Sequence, residues 1–255
     1  MTAIAANPAA SADSGGAPVL RVESVCKSFG GLKVFESISL DIPPGGVLGI
    51  IGPNGAGKTT LINVICGMLP PSSGRILLGD RDLNGMPLHA VSRLGVVRSF
   101  QQTNTFRTVS VEENVFRALR FSSIKHAADL GLDGLLEEFG LAPHLHEPSE
   151  KLPYGLQKML GLIMVLIARP RFLLLDEPAA GLERRERVQV DKVVEFARSK
   201  LGCGVLIVEH DMELVRRLCP QIVVLEAGRL LAAGAPDEVL ARPEVINAYL
   251  GSDGE

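Results

Sequence analysis

The stretch that most constrains the fold runs from residue 52 to residue 60 and reads Gly-Pro-Asn-Gly-Ala-Gly-Lys-Thr-Thr. An apolar run at residues 47–51 precedes it and predicts a short buried strand, whereas residues 61–66 predict a helix. The pattern G-x-x-x-x-G-K-[ST] between a strand and a helix is typical of a loop that binds nucleotide phosphates. The alternative is a glycine-rich turn that matches by chance, and the strand and helix on either side argue against it.

The residue types in this loop explain how it binds phosphate. Gly52 and Gly57 permit backbone angles that a Cβ forbids, so successive N–H groups can turn towards one phosphate. The helix that follows adds its unpaired N–H groups and the positive end of its dipole. Lys58 can reach the β- and γ-phosphates, and the Thr59 hydroxyl is placed for Mg²⁺. The predicted nucleotide-binding residues of the loop are Gly52, Asn54, Gly55, Ala56, Gly57, Lys58, Thr59 and Thr60.

The composition is that of an ordinary globular protein. The chain has 255 residues, of which 46% are hydrophobic and 22% charged, and this is enough apolar material for a sizeable core. A net charge of −3 gives no general basic field that would attract nucleic acid. The longest apolar run, residues 159–168, is too short to cross a bilayer. The four cysteines are scattered without a C-x-x-C pair, so we predict reduced thiols and no zinc site.

The two ends of the chain differ from the rest in composition. Residues 1–17 are rich in Ala, Ser and Gly, and they contain neither a positive charge nor a long apolar core. A signal peptide needs both features, so we predict a disordered leader. Residues 252–255 form a polar tail, which leaves one predicted domain at residues 18–251.

Within that domain, predicted strands alternate with predicted helices. Residues 19–25 and 34–42 alternate apolar and polar side chains, as half-buried antiparallel strands do. Further strands are predicted at residues 74–78, 95–100, 172–176, 204–208, 221–226 and 229–233, with helical segments at 111–140, from 155 and at 183–200. This order predicts an α/β fold with a mostly parallel core sheet, an N-terminal antiparallel β subdomain and an α-helical subdomain at about residues 103–170.

Phe29 lies between the first two predicted strands, on a predicted turn shortly before the phosphate loop. Its ring could stack on a flat nucleobase, a contact worth about 1–3 kcal/mol. It could equally cover the edge of the sheet. We include Phe29 among the predicted nucleotide-binding residues and leave the second interpretation open.

Polar side chains follow three other predicted strands, at the edge where α/β sheets bind their ligands. Asp176 and Glu177 follow an apolar run, so Asp176 can hold Mg²⁺ and Glu177 can polarise an attacking water. His210 could contact the γ-phosphate and orient that water, and the Gln101 amide could complete the metal shell. The alternative for each is a polar residue that caps a helix or loop, and the convergence of four strand ends argues against it.

Six stretches, in this order along the chain, resemble the ATP-binding cassette (ABC) ATPases. They are the phosphate loop and residues 98–101 (Arg-Ser-Phe-Gln), 152–157 (Leu-Pro-Tyr-Gly-Leu-Gln), 175–178 (Leu-Asp-Glu-Pro), 179–182 (Ala-Ala-Gly-Leu) and 209–211 (Glu-His-Asp). The resemblance covers nearly all of residues 19–250. Within the family, the chain looks most similar to the ATPase subunits of branched-chain amino acid importers, on residues 95–101, the Tyr154-Gly155 pair, and residues 177–182 and 245–251. Relatives of that subgroup also serve amides and urea.

The resemblance implies an ATPase with the P-loop NTPase fold that works as a head-to-tail homo- or heterodimer with ATP and Mg²⁺. Each ATP would be bound by one subunit's phosphate loop and covered by the other's signature stretch, here Tyr154 and Gly155. Gln101 and the helical subdomain would pass the movement to membrane permease subunits, which a substrate-binding protein serves in turn. The implied location is the cytoplasmic face of the inner membrane, with peripheral attachment.

The signature stretch departs from the family's usual Leu-Ser-Gly-Gly-Gln. Pro153 replaces the serine whose hydroxyl touches the γ-phosphate, and Leu156 replaces the glutamine. Proline also lacks a backbone N–H. We therefore expect a weaker closed site on this side of the dimer.

Two other classes of protein also carry phosphate loops. A stand-alone cassette ATPase that acts on nucleic acid or ribosomes usually has two cassettes or a coiled-coil insertion, whereas this chain has one cassette and no basic stripe. A GTPase or small-molecule kinase would leave residues 152–157 and His210 without a purpose, and the N-K-x-D motif that reads a guanine base does not occur. The leading hypothesis is an importer ATPase, with no nucleic-acid partner.

Overall fold

The structure, a computed structural model, describes residues 17–99, 105–122 and 131–250. Its strands are β1 (Leu20–Phe29), β2 (Leu32–Ile42), β3 (Val47–Ile51), β4 (Ser73–Leu78), β5 (Arg81–Asp82), β6 (Val96–Arg98), β7 (Phe172–Asp176), β8 (Gly204–Val208), β9 (Gln221–Glu226) and β10 (Arg229–Gly234). Its helices are α1 (Lys58–Ile65), α2 (Leu88–Arg93), α3 (Val111–Phe121), α4 (Leu132–Glu138), α5 (Tyr154–Ile167), α6 (Val188–Leu201), α7 (Met212–Leu218), α8 (Pro236–Leu240) and α9 (Pro243–Leu250), with short 3₁₀ turns at Ala142–His144 and Ser149–Lys151.

The strands form two sheets. The first has the order β2-β1-β4-β5 and is antiparallel throughout, as the alternating pattern of its first two strands predicts. The second has the order β10-β9-β3-β8-β7-β6 and is parallel except for the β9–β10 hairpin. The α/β fold with a mostly parallel core sheet and an N-terminal antiparallel part is therefore confirmed.

Helices cover both faces of the parallel sheet, so its central strands read as continuous apolar runs. All residues of β3, β7 and β8 are buried. Along β8, Val205 and Ile207 belong to the core shared with α5 and α6, whereas Leu206 and Val208 belong to the core shared with α1 and the antiparallel sheet. The parallel sheet thus separates two hydrophobic cores.

The topology brings four loops to one edge of the sheet. Strands β3, β8, β7 and β6 are consecutive neighbours and run parallel, so their carboxyl ends face the same way. The phosphate loop follows β3, Glu177 follows β7, and Glu209 and His210 follow β8. The segment after β6 includes Gln101, which lies outside the described residues.

The described part of the segment predicted as helical at residues 111–140 contains two helices, α3 and α4, in agreement with that prediction, and residues 123–130 lie outside the described part of the chain. Two other local predictions were wrong. Phe29 is the last residue of β1 and not part of a turn. The helix predicted from residue 183 begins at Val188, because residues 183–187 form a turn in which the Glu186 carboxylate accepts a 2.9 Å hydrogen bond from the Glu183 N–H.

The described helices include none that combines the length and the apolar character needed to cross a bilayer. The limits of the predicted helical subdomain and of the leader and tail stay predictions.

Candidate nucleotide-hydrolysis site

The phosphate loop can be built only with glycine at its first position. Gly52 has φ 146°, and a Cβ placed there would come within 2.0 Å of the Leu225 carbonyl oxygen on β9. Gly57 has φ 98° and lies directly before α1, next to Val34 and Phe35 of β2. The loop is therefore fitted between β9 and β2, and its shape depends on the absence of side chains at these points.

Lys58 folds back over the loop. Its Nζ donates hydrogen bonds to the carbonyl oxygens of Gly52 (2.7 Å) and Pro53 (2.8 Å). Burial lowers the pKa of the Lys58 ammonium, although the carboxylates of Glu177 and Asp176 oppose this shift. The ammonium thus lies at the centre of the loop, where a phosphate needs a positive charge.

The remaining predicted loop residues lie around that centre. Ala56 is buried, whereas Asn54 and Gly55 form the exposed tip of the loop. Thr59 and Thr60 belong to the first turn of α1. These positions agree with a loop that offers backbone N–H groups and one ammonium to an anion at the start of a helix.

Asp176 lies next to the end of the phosphate loop and is held there by two side chains. The Thr59 hydroxyl lies 3.5 Å from Asp176 Oδ1, and the Arg98 Nη2 donates to Asp176 Oδ2 at 2.8 Å. Arg98 also contacts the Asn63 side chain on α1. Burial raises the pKa of Asp176, while the guanidinium of Arg98 opposes this and favours the charged form. A hydroxyl and an ionised carboxylate are the oxygen ligands that Mg²⁺ prefers, so Thr59 and Asp176 fit this ion.

Arg98 was missed as a site residue. The sequence offered it only as part of the family motif at residues 98–101. Its side chain and that of Asp176 are 7% and 0% exposed, so this is a buried ion pair rather than a surface one.

We expect Arg98→Met to lower the free energy of unfolding by about 3–5 kcal/mol, because it leaves the Asp176 carboxylate buried without its cation. Urea denaturation of the nucleotide-free protein measures this. Arg229→Met is the matched control, since Arg229 pairs with Glu36 at 3.1 Å on the surface, where such pairs contribute less than about 1 kcal/mol. Equal losses in the two variants would contradict the expectation.

Glu177 and His210 come together beside the carboxylate of Asp176. Their side chains lie on loops after neighbouring strands, with His210 Nε2 2.9 Å from Glu177 Oε1. Glu177 has φ 49°, a left-handed conformation that is uncommon outside glycine and is often found at functional sites. Its N–H donates to the Val208 carbonyl oxygen at 2.8 Å, which fixes this strained residue to β8. The pair is therefore held in place by both strands.

Glu209, the residue before His210, is a second site residue, after Arg98, that the sequence analysis did not identify. It is 4% exposed and accepts hydrogen bonds from the backbone N–H groups of Ala179 (2.8 Å) and His210 (3.0 Å). Only its place in the family stretch at residues 209–211 pointed to it. Its role is structural, because it joins the loop after β7 to the loop after β8.

Tyr154 and Gly155 open α5 and pack against the loop at residues 181–186. A Cβ on Gly181 would lie 2.7 Å from the Tyr154 ring, and a Cβ on Gly155 would lie 2.4 Å from Glu186 Oε1. Pro153 precedes the helix and provides no side-chain cap. In the described part of the chain, no hydrogen bond or ion pair joins these residues to the phosphate loop.

Phe29 is 47% exposed at the end of β1, where it pairs with Leu32 of β2. The Lys27 ammonium lies 4.7 Å from the ring centroid. Since β2 also contacts Gly57, the hairpin that bears Phe29 adjoins the phosphate loop. Both interpretations of Phe29 remain compatible with this position.

Comparison with known proteins decides the family. The model of the ABC transporter family matches residues 35–180, and the model of the branched-chain amino acid ATP-binding cassette transporter matches residues 229–255. The chain belongs to the ABC transporter ATPases. It is therefore an ATP-binding and ATP-hydrolysing cassette, of the type found in branched-chain amino acid transporters.

Individual relatives support this. The high-affinity branched-chain amino acid transport ATP-binding protein LivG of Escherichia coli (strain K12) is 37% identical over 250 residues, covering 92% of this chain and 98% of LivG. The high-affinity branched-chain amino acid transport ATP-binding protein BraF of Pseudomonas aeruginosa is 35% identical over 255 residues, covering 92% of this chain and 98% of BraF. The lipopolysaccharide export ATP-binding protein LptB of E. coli is 32% identical over 237 residues, again with 92% and 98% coverage.

Solved structures give the same answer for the fold. The ADP conformation of MJ1267, an ATP-binding cassette of an ABC transporter, has a TM-score of 0.80 and 28% identity, covering 92% of this chain and 99% of that one. A nucleotide-free cassette has a TM-score of 0.79 and 26% identity, covering 91% and 98%. These comparisons give no support to the alternative of a cassette that acts on nucleic acid or ribosomes.

Proposed function

We propose that this cassette powers the uptake of branched-chain amino acids, or of related amides or urea, through a membrane permease. The observation that carries the cargo assignment is the match of the C-terminal segment, residues 229–255, to the branched-chain amino acid transporter model. LptB, an ATP-binding protein of an export system, is similar over 92% of this chain, so similarity over the whole cassette does not by itself favour one cargo. The cassette would act at the cytoplasmic face of the inner membrane, with permease subunits as direct partners and a substrate-binding protein as an indirect one.

The residues in and around the phosphate loop have different roles in the proposed hydrolysis. The loop, residues 52–60, and the Lys58 ammonium bind the phosphates, and Thr59, Asp176 and Gln101 are the proposed ligands of Mg²⁺. When bound, Mg²⁺ would neutralise charge on the β- and γ-phosphates. Glu177 accepts a proton from the attacking water, and His210, 2.9 Å from Glu177 Oε1, orients Glu177 and contacts the γ-phosphate.

The second half of each site comes from another subunit. We assign Tyr154 and Gly155 to the partner's ATP, because the start of a 14-residue helix presents unpaired N–H groups and a positive dipole end to an anion. Closure around ATP and release after hydrolysis would then drive the permease. Phe29 is assigned to the adenine base of the subunit's own ATP.

The function is tested by transport in a strain that lacks its own branched-chain amino acid cassette. Uptake of radiolabelled leucine should return with the wild-type chain and not with Glu177→Gln, and tagged protein should co-purify with permease subunits. Uptake of urea or an amide instead of leucine would show that the cargo is one of the other substrates that this subgroup of cassettes serves. Co-purification with nucleic acid and no effect on uptake would overturn the proposal.

The two-subunit site makes a separate prediction about Gly155. Gly155→Gln should abolish ATP-driven dimerisation, measured by small-angle scattering, because the new side chain meets Glu186 and displaces the start of α5, which is assigned to the partner's ATP. ATP binding to the monomer should stay within about twofold, since the phosphate loop is untouched. Gly134→Gln on α4 is the control, as a Cβ there meets nothing within 4 Å. A dimer of normal size in Gly155→Gln would count against the assignment.

A further inference from the structure

Lys158 is a buried lysine on α5 that the functions assigned so far do not use. It is 5% exposed, and its Nζ donates hydrogen bonds to the carbonyl oxygens of Glu177 (3.1 Å) and Ala180 (2.7 Å). Burial lowers the pKa of this ammonium, while the carboxylates of Glu209 and Glu177 oppose the shift. Burying a lysine ammonium is unfavourable unless it is paired, so the carbonyl oxygens that Lys158 contacts offset the cost of its burial.

Those contacts hold the turn that begins at the proposed general base. The Glu177 carbonyl oxygen accepts hydrogen bonds from the Ala180 N–H (3.1 Å) and from Lys158. From the other side, Glu209 accepts a 2.8 Å hydrogen bond from the Ala179 N–H. A buried cation and a buried anion therefore fix residues 177–180 between α5 and β8.

The turn needs this support because its first residue is strained. Glu177 has φ 49°, and a non-glycine residue stays in that region only where its surroundings determine it. The backbone angles at Glu177 set the direction of its carboxylate. A bond to its carbonyl oxygen is thus a direct restraint on the general base.

We propose that Lys158 is a positioning residue for ATP hydrolysis, which holds Glu177 in its reactive orientation and ties it to the helix that begins with Tyr154 and Gly155. The proposal rests on the proposed function in that Glu177 is the general base. Because Lys158 lies one turn after Gly155 on α5, a displacement of this helix moves the turn at residues 177–180 with it. The helix that covers the partner's ATP is in this way attached to the subunit's own hydrolytic residue.

Steady-state ATPase kinetics of the full chain test the proposal with Lys158→Met, which keeps the length of the side chain and removes its donors. We expect kcat to fall at least about 10-fold and by as much as about 100-fold, because small displacements of a catalytic group have effects of this size. The half-saturating ATP concentration should stay within about twofold, since the phosphate loop is intact. Lys158→Arg should restore most of kcat, because a guanidinium can donate to both carbonyl oxygens.

Lys27 provides the matched control. It is also buried, at 7% exposed, and its Nζ donates to the Pro70 carbonyl oxygen at 2.7 Å in the antiparallel sheet. Lys27→Met should lower the melting temperature as Lys158→Met does, yet keep kcat at saturating ATP. Amide hydrogen exchange at residues 177–182 should become faster in Lys158→Met only.

The outcomes separate the two proposals. An unchanged kcat in Lys158→Met, or a loss of kcat that Lys27→Met shares, overturns the role of Lys158. So does unchanged hydrogen exchange at residues 177–182. If Glu177→Gln itself keeps wild-type turnover, the assignment of the general base has failed, and the positioning proposal falls with it.

Discussion

Glu177→Gln is expected to slow ATP hydrolysis by roughly 10²–10⁴ and to leave ATP binding intact. The amide keeps the size of the side chain and its contact with His210, which lies 2.9 Å from Glu177 Oε1, but it cannot accept a proton from water. Since Glu177 follows β7 and does not belong to the phosphate loop, nucleotide affinity should not change. Single-turnover hydrolysis and calorimetric ATP binding, measured on the same preparation, test both halves of this expectation.

Glu195→Gln is the control for this experiment. Glu195 lies on α6 and pairs with Arg198 at the surface, so its loss should change neither hydrolysis nor binding. Wild-type turnover in Glu177→Gln would remove Glu177 from the role of general base. Loss of ATP binding would instead show that the residue supports the nucleotide pocket, and this would also contradict the assignment.

Lys58→Ala is expected to abolish detectable ATP binding at millimolar nucleotide. The Lys58 ammonium is the positive side chain of the phosphate loop, and it is already held over the loop by the carbonyl oxygens of Gly52 and Pro53. Its removal takes away the charge that meets the β- and γ-phosphates. Isothermal calorimetry with ATP and Mg²⁺ provides the measurement, and circular dichroism verifies that the variant is folded.

A lysine outside the site gives the comparison. Lys192→Ala removes a surface ion pair with Glu138 on α4 and should bind ATP like the wild type. Unchanged calorimetric binding in Lys58→Ala would overturn the site as a whole, because every other assignment depends on a nucleotide in this loop.

The sequence predicts those parts of the site that depend on local order. The phosphate loop is continuous in sequence, and Asp176 with Glu177 ends a short apolar run whose length favours a buried strand, as the structure has it. The parallel arrangement of β3, β7 and β8 then follows from alternation with helices, and it brings Glu177 and His210 together as expected. These features need no knowledge of side-chain packing.

The contacts that support these residues could not be predicted in this way. Arg98 meets Asp176 across 78 positions, and Glu209 meets the Ala179 N–H across 30. Such pairs depend on how segments that are distant in sequence pack together. A single polar residue does not change the periodic pattern of its segment, so the sequence does not reveal its partner. The start of α6 was misplaced for a related reason: the turn at residues 183–187 consists of charged residues that also favour helices.

The close fit of Gly52 to β9 determines which fragments of this protein can form a nucleotide pocket. The carbonyl oxygen of Leu225 fills the space beside Gly52, and the Val34 carbonyl oxygen of β2 fills the space beside Gly228 in the next turn. The nucleotide pocket is therefore complete only when β9 and β10, which begin at residue 221 of 255, have joined the sheet. Fragments that stop before residue 221 should therefore be unable to bind ATP. Split-reporter fusions should be placed away from the contacts of Gly52 with β9 and of Gly228 with β2.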